Sequence, residues 1–492
     1  MSDILLEKIN SVWCRVKCDP GIQAELSQLF EFEVPGAKFM PSYKSKKWDG
    51  KIRLLKPAKD GPKIYAGLYH HIKQYALEKN YSFDSDFDWS TVPPKNFPIK
   101  GWYSKGKKIV PHDHQLKAIY KSLQTKRSIF ISPTGSGKSL IIYTIVRLLS
   151  ELVDNKIVIL VPTISLVEQL YSDFEDYSNH DGFTENVTKI YSGLEKEKKK
   201  IIISTWQSLL NMEKNYFHDI DAIIGDEAHL YKGKEVSKLL EKFINAEYRY
   251  GFTGTLDGLE VNELILEGLF GPIVKVATTT ELISENKLSD LKILCMTLNY
   301  SDEEKKKRFI QFEDEVRFLI SHEKRNRFIC DLADSTKGNT LILFSRVEAH
   351  GKLLYNQLVS NKKKKCYYID GSTPAEEREI IRQSIDKEKD IIIVASSQVF
   401  STGINIKSLR NIIFAYPSKS RIRTLQSIGR ALRLHDEKEN AVIYDISDDL
   451  VGKRPNYTWN HFLERLKIYV QEDFNYTIKK VELEKLYGKS NY

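Results

Sequence analysis

The chain has 492 residues, 41% of them hydrophobic and 29% charged. That is enough for several domains with sizeable cores, and it excludes a disordered or low-complexity chain. Lys and Arg outnumber Asp and Glu by 75 to 66, a formal net charge of +9 that suits a polyanionic partner without proving one.

Five scattered cysteines, Cys14, Cys18, Cys295, Cys330 and Cys366, offer neither a completed zinc-site spacing nor an even disulfide framework. The opening MSDILLEKIN is amphipathic and acidic, unlike a leader peptide, and no apolar run reaches membrane-spanning length. A cytoplasmic protein with no membrane partner is the expectation.

Residues 1–97 read as a small α+β accessory domain. They hold Trp13, Trp48 and Trp89 and turn signals at Asp49-Gly50 and Asp60-Gly61-Pro62, with Pro93-Pro94 and Pro98 marking a linker. From Ser128, short apolar runs alternate with amphipathic stretches: Ser128–Ile131, Lys156–Val161, Ile201–Ser204, Ala222–Gly225 and Tyr250–Phe252, separated by helical patterns such as Leu140–Leu152 and Leu166–Tyr177. Apolar runs without polar alternation suit buried parallel strands joined by helical crossovers. The pattern stops near Thr278 and resumes, after a charged helical stretch at 302–334, with Leu341–Phe344, Cys366–Ile369, Ile391–Val394, Ile412–Phe414 and Val442–Tyr444. The fold class expected is therefore α/β, two doubly wound parallel-sheet domains in series at 98–278 and 279–455. A helical tail follows at 456–492. His350-Gly351-Lys352 lacks the glycines and hydroxyl of a phosphate loop and reads as helix surface.

Within the first α/β domain, Ser132–Ser139 (SPTGSGKS) follows an apolar strand and opens an apolar-periodic helix. Gly135 and Gly137 let the backbone curl so that N–H groups and the helix N-terminus face an anion. The loop residues Pro133, Thr134, Gly135, Ser136, Gly137, Lys138 and Ser139 are thus expected to bind ATP. Lys138 would hold the β- and γ-phosphates and Ser139 would ligate Mg2+. Asp226-Glu227-Ala228-His229 directly follows a strand, where open parallel sheets bind ligands. Asp226 is expected to hold the metal and Glu227 to accept a proton from the attacking water.

Upstream, Gln115 in PHDHQLKAI can pair an adenine edge through both amide groups. Gly254-Thr255 in FTGTL can relay nucleotide state. Gly403 and Asn405 in STGIN can contact phosphate and ribose. In QSIGRALR (426–433), Arg430 and Arg433 are three positions apart and aim the same way on a helix. If they meet the γ-phosphate charge that spreads during phosphoryl transfer, the nucleotide sits between the two α/β domains and the protein is a motor. The alternative is two surface arginines paired with local acids.

The ordered set HDHQ, SPTGSGKS, VPTISLVEQL, STWQS, DEAH, FTGT, LFSR, IDGST, FSTGIN and QSIGRALR resembles the superfamily 2 helicases from His112 to about Leu434. Ser132, Leu256 and Asn405 depart from the commonest residues of that pattern without removing a catalytic group. The resemblance implies two RecA-like domains, adds Gln426 to the catalytic set, and places one strand's phosphates against Thr163, Thr205, Gln207, Ser345 and Thr402.

The stretch FMPSYKSKKWDGKIRLL (39–55), followed by Tyr65-Ala66-Gly67-Leu68, resembles the accessory domain of the UvsW DNA helicase family of T-even bacteriophages. That likeness implies ATP-driven work on branched DNA, with single-stranded DNA and RNA–DNA hybrids as further partners, in recombination, repair and replication inside a bacterial host. The chemistry of the stretch agrees. Lys44, Lys46, Lys47, Lys51 and Arg53 can bind phosphates, and Tyr43 and Trp48 are interleaved with them. A core role for Trp48 is the simpler reading of that residue. Three alternatives stay open: an RNA helicase, a double-stranded DNA translocase of a remodelling or restriction complex, and a scaffold with a nucleotide switch. A small protein partner also stays open.

Overall fold

A computed structural model describes residues 2–488 apart from 35, 94–100, 192–198, 386, 403–405, 407, 418–419, 421–423, 426, 430–431, 433–439 and 453–454. The chain divides into two compact units. Residues 1–132 and 137–276 form the first, and residues 133–136 and 277–492 are grouped in the second.

The first unit is built on a seven-stranded sheet whose strands are all parallel. Their order across the sheet is Val187–Ile190, Ile201–Thr205, Lys156–Val161, Ile220–Asp226, Tyr248–Thr253, Arg127–Ile131 and Ile273–Lys275. The central strands are apolar on both faces because helices cover both. Every residue of Ile201–Thr205 is buried, and so are Ile157 to Val161.

All the apolar runs of the first α/β segment lie inside these strands. The short edge strands Val187–Ile190 and Ile273–Lys275 carry too few apolar residues to stand out in the sequence. Helices Lys138–Leu152 and Ile164–Ser178 extend the expected helical stretches at their N-termini.

The N-terminal α+β region is a four-stranded mixed sheet in the order Lys63–Tyr65, Trp13–Cys18, Ile4–Lys8 and Phe83–Ser85, with helices Pro20–Leu29 and Tyr69–Glu78. It does not stand apart from the larger sheet: Trp13, Tyr65, Leu264 and Leu269 share one apolar core. The two backbones also touch. A Cβ on Gly67 would lie 2.1 Å from the Glu267 carbonyl oxygen, and one on Gly268 would lie 2.7 Å from the Tyr65 Cβ.

Polar contacts reinforce this seam. Tyr65 O–H donates to Glu241 at 2.6 Å. Lys8 and Lys126 each reach Glu247 at 2.5 Å. Buried Arg127 donates to the Ser11 carbonyl and stacks 3.6 Å from the centre of the Trp89 ring.

The second unit repeats the all-parallel plan in the order Cys366–Ile369, Ile392–Ser396, Asn339–Phe344, Leu409–Phe414, Asn440–Asp449, Asp290–Asn299 and Tyr476–Glu482. Two strands here differ from the sequence expectation. Asp290–Asn299 contains an apolar run, Ile293–Met296, that is not among the expected strands, and it alternates buried and half-exposed residues over most of its length. Tyr476–Glu482 is mostly exposed on its edge. Residues 456–492, expected to be helical, contain helix Tyr457–Gln471 and then this edge strand, paired alongside Asp290–Asn299.

His350 and Gly351 also depart from expectation. They are buried in a π-helical turn, Val347–Gly351, and a Cβ on Gly351 would come within 2.5 Å of the Phe344 ring. Two buried ion pairs hang from Asn440–Asp449: Arg465 with Asp445 at 2.7 Å and Arg325 with Asp448 at 2.8 Å, each carboxylate also accepting a tyrosine hydroxyl. Burial alone would lower both arginines, but the carboxylates hold them above the ordinary guanidinium range.

All five cysteines are free thiols, and no helix among the described residues is long and apolar enough to cross a membrane. Gly268→Ala is expected to lower unfolding stability in urea by about 1–3 kcal/mol through overpacking at the seam. Gly21→Ala, where an added Cβ meets nothing within 4 Å, is the control and should leave stability unchanged or raised.

Candidate active site and nucleic-acid interface

The site of the first unit lies along the carboxyl edge of its sheet. Strand Arg127–Ile131 runs into the glycine loop, where the Ser132 N–H donates to the Thr253 carbonyl at 2.9 Å and so ties the loop to the neighbouring strand. Gly135 and Gly137 have φ of 88° and 81°, the left-handed region that glycine enters without penalty. Helix Lys138–Leu152 therefore begins directly after a turn whose N–H groups are freed from the strand.

Around the loop, the Ser136 hydroxyl donates to the Pro133 carbonyl at 2.6 Å, and the Lys138 Nζ to the Ser132 carbonyl at 3.2 Å. Ser139 Oγ lies 2.8 Å from the Tyr177 hydroxyl. Burial, helped by Asp173, raises that phenol well above its ordinary range. Tyr177 ends an amphipathic helix and reads in the sequence as an ordinary core aromatic, so nothing there singles it out.

Gln115 is buried at the start of helix Asp113–Gln124. Its Oε1 accepts the His112 N–H at 2.8 Å in a capping box, and its Nε2 lies against Gly137, 2.3 Å from where a Cβ would stand. Gly137 is thus required twice, by its φ and by this close approach.

The carboxylates are held by the next strand but one. Ile220–Asp226 ends at Asp226, and Glu227 follows with a left-handed φ of 53°, uncommon for a residue with a side chain. The Glu227 N–H donates to Asp226 Oδ1 at 2.9 Å. Buried Tyr231 places its hydroxyl 2.8 Å from the Asp226 carbonyl and 2.7 Å from that of Leu160, and donates to them. The ring packs so closely on Gly225 that a Cβ there would sit 2.4 Å from it.

Asp226 is pushed up to about 7 by burial and then by the Glu227 charge, against the opposing pull of Lys138 and the Glu227 N–H. Glu227 Oε2 is buried and accepts no hydrogen bond, with His229 Nδ1 3.4 Å away. His229, buried and held below the usual imidazole range by that burial, donates from Nδ1 to Thr253 Oγ1 at 2.9 Å. Thr253 in turn donates to the Thr255 carbonyl at 2.8 Å. The DEAH and FTGT segments are therefore joined by a hydrogen-bond chain that the sequence motifs do not reveal.

The expected phosphate-contacting residues of the first unit share this edge. Val161 and Thr205 stand side by side in the register, and Gln207 Nε2 donates to the Pro162 carbonyl at 3.4 Å. Thr163 caps helix Ile164–Ser178. Thr205 is buried with its hydroxyl 2.8 Å from Ser208 Oγ. In the second unit Ser345 is exposed just after strand Asn339–Phe344. Thr402 ends helix Ser397–Thr402, with its side chain outside the described part. Gly403, Asn405, Gln426, Arg430 and Arg433 lie outside the described residues.

In the N-terminal region Lys44, Lys46 and Lys47 are exposed. Lys51 and Arg53 are instead ion-paired to Glu31 across the hairpin, at 2.5 and 2.7 Å, and Arg53 also to Asp49. Half-buried Trp48 donates its indole N–H to the Lys51 carbonyl at 2.8 Å.

Three family models match the chain: "DNA helicase UvsW, N-terminal" over residues 3–86, "Type III restriction enzyme, res subunit" over 108–258 and "Helicase conserved C-terminal domain" over 324–435. The ATP-dependent DNA helicase uvsW of Enterobacteria phage T4 is 32% identical over 499 residues, covering 95% of this chain and 97% of the relative. The chain belongs to the UvsW helicase family.

It is an ATP-dependent helicase, and its two parallel sheets are tandem RecA-like domains. The crystal structure of T4 UvsW is similar with a TM-score of 0.52 and 31% identity, covering 98% of this chain and all (100%) of the other. The DNA 3'-5' translocase XPB2 of Sulfurisphaera tokodaii is 23% identical over 77% of this chain and 90% of its own length.

The raised Asp226 carboxyl makes a stability prediction. The folded chain holds that proton more tightly than the unfolded chain, whose value is about 3.9, so this group's contribution to stability falls as pH rises from about 4 to about 7. Asp226→Asn removes the penalty. It is expected to raise the Tm of the nucleotide-free protein, more at pH 8 than at pH 5. Equal shifts at both values would mean that ionising the buried Asp226 carboxyl carries no such penalty.

Proposed function

We propose that this helicase hydrolyses ATP with Mg2+ at residues 133–139 and the Asp226–Glu227 pair, and uses the cycle to remodel branched DNA. Forks, four-way junctions and RNA–DNA loops are the substrates, in phage recombination, repair and replication within the host cytoplasm. The observation that carries the ATP reading is the meeting at one sheet edge of the Lys138 charge, the Ser139 hydroxyl and two carboxylates, one raised to about 7 and the other with a buried oxygen lacking a donor. This set suits a hard divalent cation beside a triphosphate. Support for DNA comes from the near full-length likeness to a protein named as a DNA helicase.

In this reading Ser139 and Asp226 would hold Mg2+. Bound there, Mg2+ neutralises phosphate charge and favours Asp226 as an anion. Lys138 and the N–H groups of the loop orient the β- and γ-phosphates. Glu227 Oε2, accepting no other proton, takes one from the attacking water. Gln115 lies against the loop and would bind the adenine edge only by giving up its capping bond to the His112 N–H. Arg430 and Arg433 supply positive charge to the γ-phosphate with Gln426 beside them, and Gly403 and Asn405 contact phosphate and ribose.

Thr163, Thr205, Gln207, Ser345 and Thr402 hold one strand's phosphates without reading bases. Lys44, Lys46 and Lys47 engage the branched duplex. Lys51 and Arg53 do so only by leaving Glu31.

Lys138→Ala, Glu227→Gln and Arg430→Ala are each expected to cut DNA-stimulated ATP turnover by at least about a hundredfold while single-stranded DNA binding persists. Wild-type turnover in Lys138→Ala would refute the site. Unwinding assays on forks, four-way junctions, RNA–DNA loops and plain duplex RNA should rank the branched DNAs first. In the triple variant Lys44→Ala/Lys46→Ala/Lys47→Ala, the salt dependence of fork binding should fall by about one unit of slope per lysine. An unchanged slope would remove these lysines from the interface.

A further inference from the structure

The seam between the N-terminal region and the first RecA-like domain holds a group of side chains that the helicase motifs do not use. His70 and His71 lie in the first turn of helix Tyr69–Glu78, and Glu267 lies on helix Glu260–Phe270. His70 Nε2 is 2.8 Å and His71 Nε2 3.2 Å from the same oxygen, Glu267 Oε2. His70 Nδ1 is 3.0 Å from the Gly67 carbonyl oxygen. The imidazoles are each 32% exposed and the carboxylate 10%.

A neutral imidazole has one N–H. In His70 the Gly67 carbonyl, which can only accept, takes the proton at Nδ1. The Nε2 lone pair then faces a carboxylate oxygen, two acceptors with no proton between them. His71 Nε2 lies against the same oxygen, where it can present an N–H or a lone pair. One cation at this point would satisfy the His70 lone pair and the carboxylate together, and could take the His71 lone pair as well.

The geometry can accommodate a cation. The three donor atoms lie within 4.8 Å of one another. The two nitrogen–oxygen separations of 2.8 and 3.2 Å approach the edge of about 3.3 Å for a tetrahedron with metal–ligand bonds of about 2.0–2.1 Å. The Gly67 carbonyl on Nδ1 is the kind of partner that orients a metal-bound histidine and fixes its tautomer.

We propose that His70, His71 and Glu267 bind a single Zn2+ ion, with the fourth position open to water. Two imidazoles and one carboxylate suit zinc better than Mg2+ or Ca2+, which favour all-oxygen sites. The ligands come from two helices whose backbones are already locked at Gly67 and Gly268, so little ordering is needed when the ion enters. The ion clasps the accessory region to the first motor domain, and it is separate from the Mg2+ of the nucleotide site.

The test uses the full chain, tag-free, stripped with EDTA and without nucleotide. ZnCl2 is titrated against a chromogenic chelator, and Tm is followed with and without ZnCl2. One zinc per chain and a zinc-dependent rise in Tm are expected. His70→Ala/His71→Ala should weaken zinc binding by at least about tenfold and abolish the rise, and Glu267→Gln should weaken it similarly while preserving side-chain shape. Co2+ on the wild-type chain should give the intense visible absorption of a four-coordinate site, a readout that needs no variant to fold. Failure of the wild-type chain to take up zinc at micromolar free metal would overturn the proposal, as would equal uptake by wild type and both variants.

Discussion

Two carboxylates on consecutive residues repel each other at the end of a buried strand, and much of the first unit serves to keep them there. Asp226 is fixed by Tyr231 on its carbonyl and lies within the field of Lys138, and Glu227 follows with a left-handed backbone. Without a cation the pair is unfavourable, as the raised Asp226 shows. In the proposed reaction that unfavourable state would be a form of preorganisation, with the acidic groups assembled before a metal or water arrives. The closely packed residues Gly225, Tyr231 and Phe270 are what make the strain sustainable.

The central strands of both sheets and the phosphate loop were legible in the sequence because their physical signals are strong. Ile157–Val161 and Leu341–Phe344 are continuous apolar runs, and a glycine-rich turn between such a strand and an apolar helix has few other uses. Strand Asp290–Asn299 was passed over although Ile293–Met296 is an apolar run as long as Leu341–Phe344, whereas the exposed edge strand Tyr476–Glu482 carries no such run. His350 was misread because a π-helical turn rotates it inward, where a regular helix would have left it on the surface.

At the site, motif and context single out Lys138, Ser139, Asp226 and Glu227, but not the contacts these segments make. The Ser139–Tyr177 contact, the His229–Thr253 bond and the seat of Gln115 against Gly137 depend on tertiary packing between segments far apart in sequence. In the basic stretch the sequence treats all five cations alike. The fold separates Lys44, Lys46 and Lys47, which face solvent, from Lys51 and Arg53, which Glu31 already neutralises. Exposed pairs of this kind contribute little to stability, so their exchange for phosphate is energetically accessible.

The parallel placement of Tyr476–Glu482 beside Asp290–Asn299 has a kinetic side. These partners are separated by nearly the whole of the second unit, and the strand between them and the rest of the sheet, Asn440–Asp449, also comes late. During synthesis the first unit can assemble its seven strands once residue 275 has emerged, whereas Asp290–Asn299 waits unpaired through most of the remaining translation. Long-range parallel closure is slow and leaves hydrogen-bonding edges exposed meanwhile. Asp290 and Lys292 on one side and Thr297 and Asn299 on the other flank the apolar centre of that waiting segment, an arrangement that discourages association with the wrong partner.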